Sequence, residues 1–200
     1  VCSSDLRHHR FGRQAAQFGG KRVGCHQPAV RPEQRLIKWG NYVVGMAAVA
    51  FATGVTVITA RPPGQDSLVG LTVNSFSSVS MDPALVLWSI SNTSPNLAVF
   101  DVGAQHVIHI LADSQKDLAY RFANPKVDKF AEVDYALTDV FQAPVIAGCV
   151  ARFYCETDRV FQGGDHSIIL ARVLRFDTAA HAPLLFVKGS MLGTDTLAPV

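Results

Sequence analysis

The sequence predicts a mainly β fold with α inserts: a small β-barrel of short strands around one core. Three observations carry this. Hydrophobic residues make up 48% of the 200-residue chain and charged residues 17%, enough to bury a real core within one domain. Short β-branched runs recur between Gly, Pro and Asp turn signals. Two stretches carry the start and stop signals of helices.

Residues 1–40 have no apolar period. They hold eight Lys/Arg beside Asp5 and Glu33, whereas the other 160 residues hold ten basic and fourteen acidic side chains. The segment reads as a basic leader outside the fold, disordered or foreign to the native chain. The mildly acidic remainder, with no recognisable nucleic-acid module, points away from nucleic acid as a partner. From Trp39 to Ala60 no residue is charged, a run long enough to span a bilayer. Gly40, Asn41, Gly45, Thr53, Gly54, Thr56 and Thr59 dilute it, and "NYVVGMAAVAFA" gives way to the alternating "GVTVITA". A helix over 41–52 that hands over to a strand is the favoured reading, and a membrane span the alternative. The favoured reading expects a cytoplasmic protein without a membrane segment.

The domain is expected over 41–190, with a tail at 191–200. Strands are expected at 55–60 and 68–73, paired as a hairpin through "RPPGQDS". A polar loop, "NSFSSVS", runs to the break at Asp82-Pro83, and a third strand covers 84–90. Ser94, Pro95 and Gly103 frame a short helix. A fourth strand lies near 106–112. The second helix covers 113–125, with a Ser114–Asp117 capping box and a stop at Asn124-Pro125. Residues 126–143 read as irregular. Long strands at 144–161 and 166–176, joined by "QGGD", and a short one at 183–187 complete the set. Cys2, Cys25, Cys149 and Cys155 form no CxxC pair, so neither a metal site nor a disulfide framework is expected.

The sequence contains no GxSxG, HExxH, P-loop or GxGxxG after a strand. Asp82, Asp165 and Asp177 have no spacing that pairs them. A chain without such side chains can still be an enzyme if a cofactor carries the reaction. Asn74, Ser75, Ser77, Ser78 and Ser80 crowd small hydrogen-bonding groups between two apolar runs. Such a cluster either holds a ligand through many short polar contacts or is a solvated turn whose serines satisfy their own backbone.

"FATGVTVIT", "GLTVNSFSSVSMDPALVLWSI", "LAYRFA" and "GGDHSIILARV" occur in order between about Met46 and Val187. Together they resemble the flavin reductase-like family. The resemblance implies an FMN-binding split β-barrel, homodimeric, that passes a hydride from NADH or NADPH to FMN or FAD. It also implies a flavin-dependent monooxygenase as partner, supplied with the reduced flavin. It places Thr72, Val73, Asn74 and Ser75, with Ser78, at the edge of the flavin ring. Ser89, Ser91 and Asn92 would meet the ribityl and phosphate groups, as would His109, where the family usually has Asn. Arg121 would add a cation near the phosphates or form a surface ion pair. Gly164 and Asp165 turn the chain before His166, which would position the nicotinamide or simply open a strand. The ending "LLFVKGSML" replaces the family's aromatic-rich one and motivates a second reading, a module that binds and stores flavin without reducing it.

Overall fold

A computed structural model describes residues 50–137 and 141–194. The expected leader, residues 41–49 of the expected 41–52 helix, and residues 195–200 lie outside this range. The strands are β1 (Thr53–Gly54), β2 (Thr56–Ala60), β3 (Val69–Val73), β4 (Ser77–Met81), β5 (Ala84–Ser91), β6 (Gln105–Ile110), β7 (Tyr135–Leu137), β8 (Pro144–Ile146), β9 (Ala151–Gly163), β10 (His166–Thr178), β11 (Leu185–Val187) and β12 (Ser190–Leu192). One α-helix, α1 (Lys116–Ala123), and 3₁₀ turns at Leu97–Phe100 and Asp113–Gln115 join them among the described residues.

Seven strands form one antiparallel sheet in the order β3-β2-β6-β9-β10-β5-β4. Along each strand, alternate side chains serve opposite faces. On β2, Ile58 and Ala60 enter one cluster with Val69, Trp88, Ile108, Cys155, Ile169 and Phe100. These residues come from six different strands of the sheet and from the 3₁₀ turn, so the sheet curls and its concave face closes on itself. Val57 enters a second cluster with Leu111, Ala119, Phe122, Ile146 and Leu184, which packs α1 and β8 onto the outer face. β1, β11 and β12 pair as a separate three-stranded ribbon.

Local chemistry explains the joints. Gly164, at φ +82°, is the first residue of the two-residue turn between β9 and β10, the position at which a type II′ hairpin needs glycine. At the start of the α1 region, the Gln115 side chain accepts from the Ala112 N–H (3.0 Å). That replaces the expected Ser114–Asp117 box, because the chain begins with a 3₁₀ turn at Asp113 and Gln115 falls where the reach back is short. Other expectations also change. The serine stretch is not a loop: Ser77–Met81 is an edge strand paired with β5. The long strand at 144–161 is two strands, broken where Gly148 takes φ +74°. The helix over 94–103 contracts to a 3₁₀ turn at 97–100. The irregular stretch contains β7, and the expected tail contributes β12. The membrane alternative over 39–60 fails because Thr53–Gly54 and Thr56–Ala60 are sheet strands. No described helix is long and apolar enough to cross a bilayer.

Candidate functional site

β3 and β4 are the two ends of the sheet order, yet residues 74–76 join them directly. The seam between them is tied by a side chain. Ser75 Oγ accepts from the Ser89 N–H at 2.9 Å, which draws the end of β3 beside the end of β5. β2 is the only strand paired with β3 among the described residues, so the other edge of β3 has no strand partner. A cleft of about 350 Å³ opens at this seam, lined by residues 71–75, 89–91, Ser94 and His166. Its volume lies at the low end of the range for small-molecule sites, roughly 300–1,000 Å³.

His166 is the first residue of β10 and faces Ser91 across the ladder. Its Nδ1 lies 2.8 Å from Asp165 Oδ1, and its side chain is about half exposed. That hydrogen bond and the imidazole beside it hold the Asp165 carboxyl below the usual carboxylate range. Nε2 has no protein partner among the described residues. Ser91 Oγ shares a hydrogen bond with Thr93 Oγ1 (2.9 Å), and the Ser94 N–H donates to Ser91 O, a turn that carries Ser94 to the cleft.

The structure therefore brings together Thr72, Val73, Asn74, Ser75, Ser89, Ser91 and His166. The Thr72 hydroxyl donates to Ala119 O at 2.7 Å and fastens β3 to α1. Gly164 and Asp165 form the turn beside the cleft. Ser78 sits on the exposed strand β4, outside the lining. Asn92 also lies outside the lining; its amide bonds Gly164 and Ser167.

Two expected contacts are corrected. His109 is fully buried on β6, on the face that β8 covers. Its Nδ1 meets Val57 O at 3.0 Å and its Nε2 accepts from the Ile146 N–H at 3.1 Å. Burial, against the pull of the Val57 carbonyl, lowers its pKa to about 4. It is a neutral core residue with both ring nitrogens bonded, not a ligand contact. Arg121 on α1 donates to Ala131 O (2.8 Å) and lies 3.5 Å from Glu132. It borders a separate depression with Asp117, Tyr120 and Val127, so the surface ion pair is the role the structure gives it. Sequence reading missed Ser94 as a lining residue because it also looks like a helix cap; its place three residues after Ser91 in "SNTS" was the available signal.

A larger concavity, about 630 Å³, lies between residues 61–66 and 103–105. Its cation is already satisfied: Arg61 donates to Gln65 O (2.9 Å) and pairs with Asp66 (2.7 Å). It contains none of the residues expected at a site, so the seam cleft is the better assignment.

A curled β sheet whose split edge exposes backbone and hydroxyl groups, with one half-exposed imidazole at the rim, defines a barrel that binds a small polar ligand. Among the described residues no nucleophile–base pair accompanies it. The chain belongs to the flavin reductase family: the Flavin reductase like domain matches residues 46–195. It is 43% identical over 141 residues to the reductase component of a flavin-dependent trigonelline monooxygenase from Acinetobacter baylyi, covering 70% of this chain and 45% of that longer protein. It is 42% identical over 144 residues to the FMN reductase (NADH) SmoA of Agrobacterium fabrum, covering 70% and 79%. In three dimensions it resembles the NADH:FAD oxidoreductase SgcE6 of Streptomyces globisporus, solved with NAD and FAD fragments. There the TM-score is 0.71 and the identity 31%, over 86% of this chain and all of that one. The chain thus spans about half the length of the first of these relatives.

Proposed function

We propose that the protein uses NADH to reduce FMN or FAD and supplies the reduced flavin to a monooxygenase partner. The observation that carries this is the seam cleft, which gathers Thr72–Ser75, Ser89, Ser91 and His166 from three strands in a chain of this family. The donor set suits a flavin. Backbone groups at the free edge of β3 and short hydroxyls can meet ring carbonyls and ring nitrogens without crowding a flat ring. Residues 72–75 would hold the ring edge, and Ser89, Ser91 and Ser94 its ribityl chain. A bound flavin would supply the hydride acceptor. The protein's part is to orient the nicotinamide against it, which makes the transfer effectively unimolecular. His166, with Nδ1 tied to Asp165 and Nε2 uncommitted, is placed for that orientation rather than for proton abstraction.

The purified protein should oxidise NADH rapidly once FMN or FAD is added, and slowly without flavin. No turnover with either flavin and either nicotinamide nucleotide would overturn the proposal. The altered ending that motivated the storage reading forms β11 and β12, none of whose residues is in the lining of the cleft.

The working unit in this reading is a homodimer in the cytoplasm. Met81 (90% exposed), Phe176 (64%), Leu174 (49%) and Val79 (48%) leave apolar surface on β4 and the far end of β10. A symmetric second copy covers such surface most simply. Light scattering is expected to read a dimer, and a monomer that still binds flavin would refute that part.

A further inference from the structure

His166 begins β10 immediately after a two-residue turn, and that turn has little packing of its own. Gly164 and Asp165 are both exposed, and the Asp165 carboxylate that holds the imidazole is 93% exposed. An imidazole cannot be aimed by a carboxylate that is itself unanchored. The anchor comes from the end of β5. The Asn92 N–H donates to Asp165 O at 2.9 Å. The Asn92 side-chain Nδ2 donates to Gly164 O at 2.9 Å. Asn92 Oδ1 accepts from Ser167 Oγ at 2.7 Å. One residue thus grips positions 164, 165 and 167, on both sides of His166.

The chemistry fixes the direction of each bond. Gly164 O can only accept, so the amide must turn its NH₂ toward it and its oxygen toward the serine. Ser167 is 1% exposed, and Asn92 gives its buried hydroxyl a partner. Asn92 is not among the residues that line the seam cleft; with Ser94 and Ser167 it lines a second concavity of about 410 Å³ that shares Ser94 with that cleft.

We propose that Asn92 is a positioning residue: it latches the β9–β10 turn to the end of β5 and so aims His166 at the nicotinamide, without contacting the flavin. This rests on the NADH–flavin reading above. It differs from the ribityl or phosphate contact that the family resemblance implies for Asn92.

The test compares Asn92→Ala, Asn92→Asp, Ser167→Ala and His166→Ala with the wild type. Asn92→Asp keeps the size and the bond from Ser167 but sets a carboxylate oxygen against Gly164 O. Both Asn92 variants should lower kcat/KM for NADH by about 10-fold or more, with flavin Kd, read by fluorescence quenching, within about 2-fold. Ser167→Ala should give a smaller loss of the same kind. Asn92→Asp combined with His166→Ala should be no slower than His166→Ala alone, since the latch acts only through that ring. Flavin affinity falling in parallel with NADH kinetics would make Asn92 a cofactor contact and overturn the proposal. Unchanged NADH kinetics, or losses that multiply in the double variant, would also overturn it.

A second readout needs neither flavin nor NADH. Amide hydrogen exchange in peptides spanning 160–168 should accelerate in both Asn92 variants. If the wild type fails to turn over NADH while exchange still accelerates, the functional reading falls and the latch stands. If exchange is unchanged, the latch falls. Should Asn92→Ala not fold, Asn92→Asp and Ser167→Ala carry the same comparisons.

Discussion

Lowering the pH from 7 to 4 is expected to remove much of the protein's stability, and two buried histidines are the reason. His106 and His109 are both fully buried, and burial lowers each pKa to about 4 from an ordinary 6.5. Hydrogen bonding agrees with neutral rings. His106 Nε2 faces the Trp88 Nε1–H at 3.4 Å, and His109 Nε2 accepts from the Ile146 N–H. A proton on either Nε2 would oppose a donor that cannot move away. Phe100 and Trp88 pack edge-on against His106, which is fully buried. Near His109, Arg152 opposes the charged form and Asp177 favours it, both less than burial does.

The sign follows from linkage. Between pH 6.5 and 4 the unfolded chain binds protons that the folded one refuses, so the stability these rings confer is complete above 6.5 and drains as pH falls toward 4. Near pH 5 the two rings give a slope of roughly 2 kcal/mol per pH unit, and by pH 4 a loss of about 3 kcal/mol each. Set against a typical total of about 5–15 kcal/mol, this is a large share of the whole. Urea denaturation at a series of pH values should show the slope, and His106→Phe should remove about half of it. A flat profile from pH 6.5 to 4.5 would refute the argument. The lowered carboxyls of Asp158 and Asp165 give up their contribution only as pH falls below about 5, so the histidine slope stands alone in the upper part of the window.

His109 also shows where sequence reading stops. A histidine in "HVIHILA" looks the same whether its ring faces a ligand or a covering strand. What decides is β8, thirty-odd residues on, whose Ile146 N–H caps the ring. Features that rest on local chemistry were legible. The β2–β3 hairpin follows from two β-branched runs around Pro62-Pro63-Gly64, and the β9–β10 turn from Gly164-Asp165. The residues at the seam, 72–75 with Ser89, Ser91 and His166, were legible through the family resemblance. β4 was not, because an edge strand facing solvent has no apolar face to alternate, and "SSVSM" reads as a loop. Nor could "PVIAGCVARFYC" reveal its break, since both halves are buried and equally apolar. The bonds of Asn92 to Gly164 and Ser167 were not legible, because these partners lie over 70 positions away.

Placing a methyl group on Gly70 is expected to damage both the fold and the cleft. This glycine is required by proximity, not by backbone conformation. A Cβ there would fall far inside contact distance of Phe122 Cε1, 2.5 Å from its Cδ1 and 3.2 Å from Phe130 Cζ. Phe122 is fully buried and cannot swing aside. It packs edge-on against Phe130 (5.1 Å between centroids), which packs in turn against Tyr135 (5.4 Å). Overpacking of this kind costs about 1–3 kcal/mol, and the Gly70→Ala variant should sit at the upper end because three aromatic rings must move together. The displacement also reaches the site. Gly70 lies on β3 one residue before the cleft lining begins at Leu71, and the Thr72 hydroxyl ties that strand to α1, which carries Phe122. Flavin affinity should therefore fall with stability. Phe122→Leu, which vacates the space the methyl group needs, separates this cause from a general intolerance of change. Alone it should cost about 1–2 kcal/mol for the smaller side chain, but paired with Gly70→Ala the two should cost at least about 1 kcal/mol less than their sum. Strict additivity in urea denaturation would mean that the ring does not set the limit at Gly70.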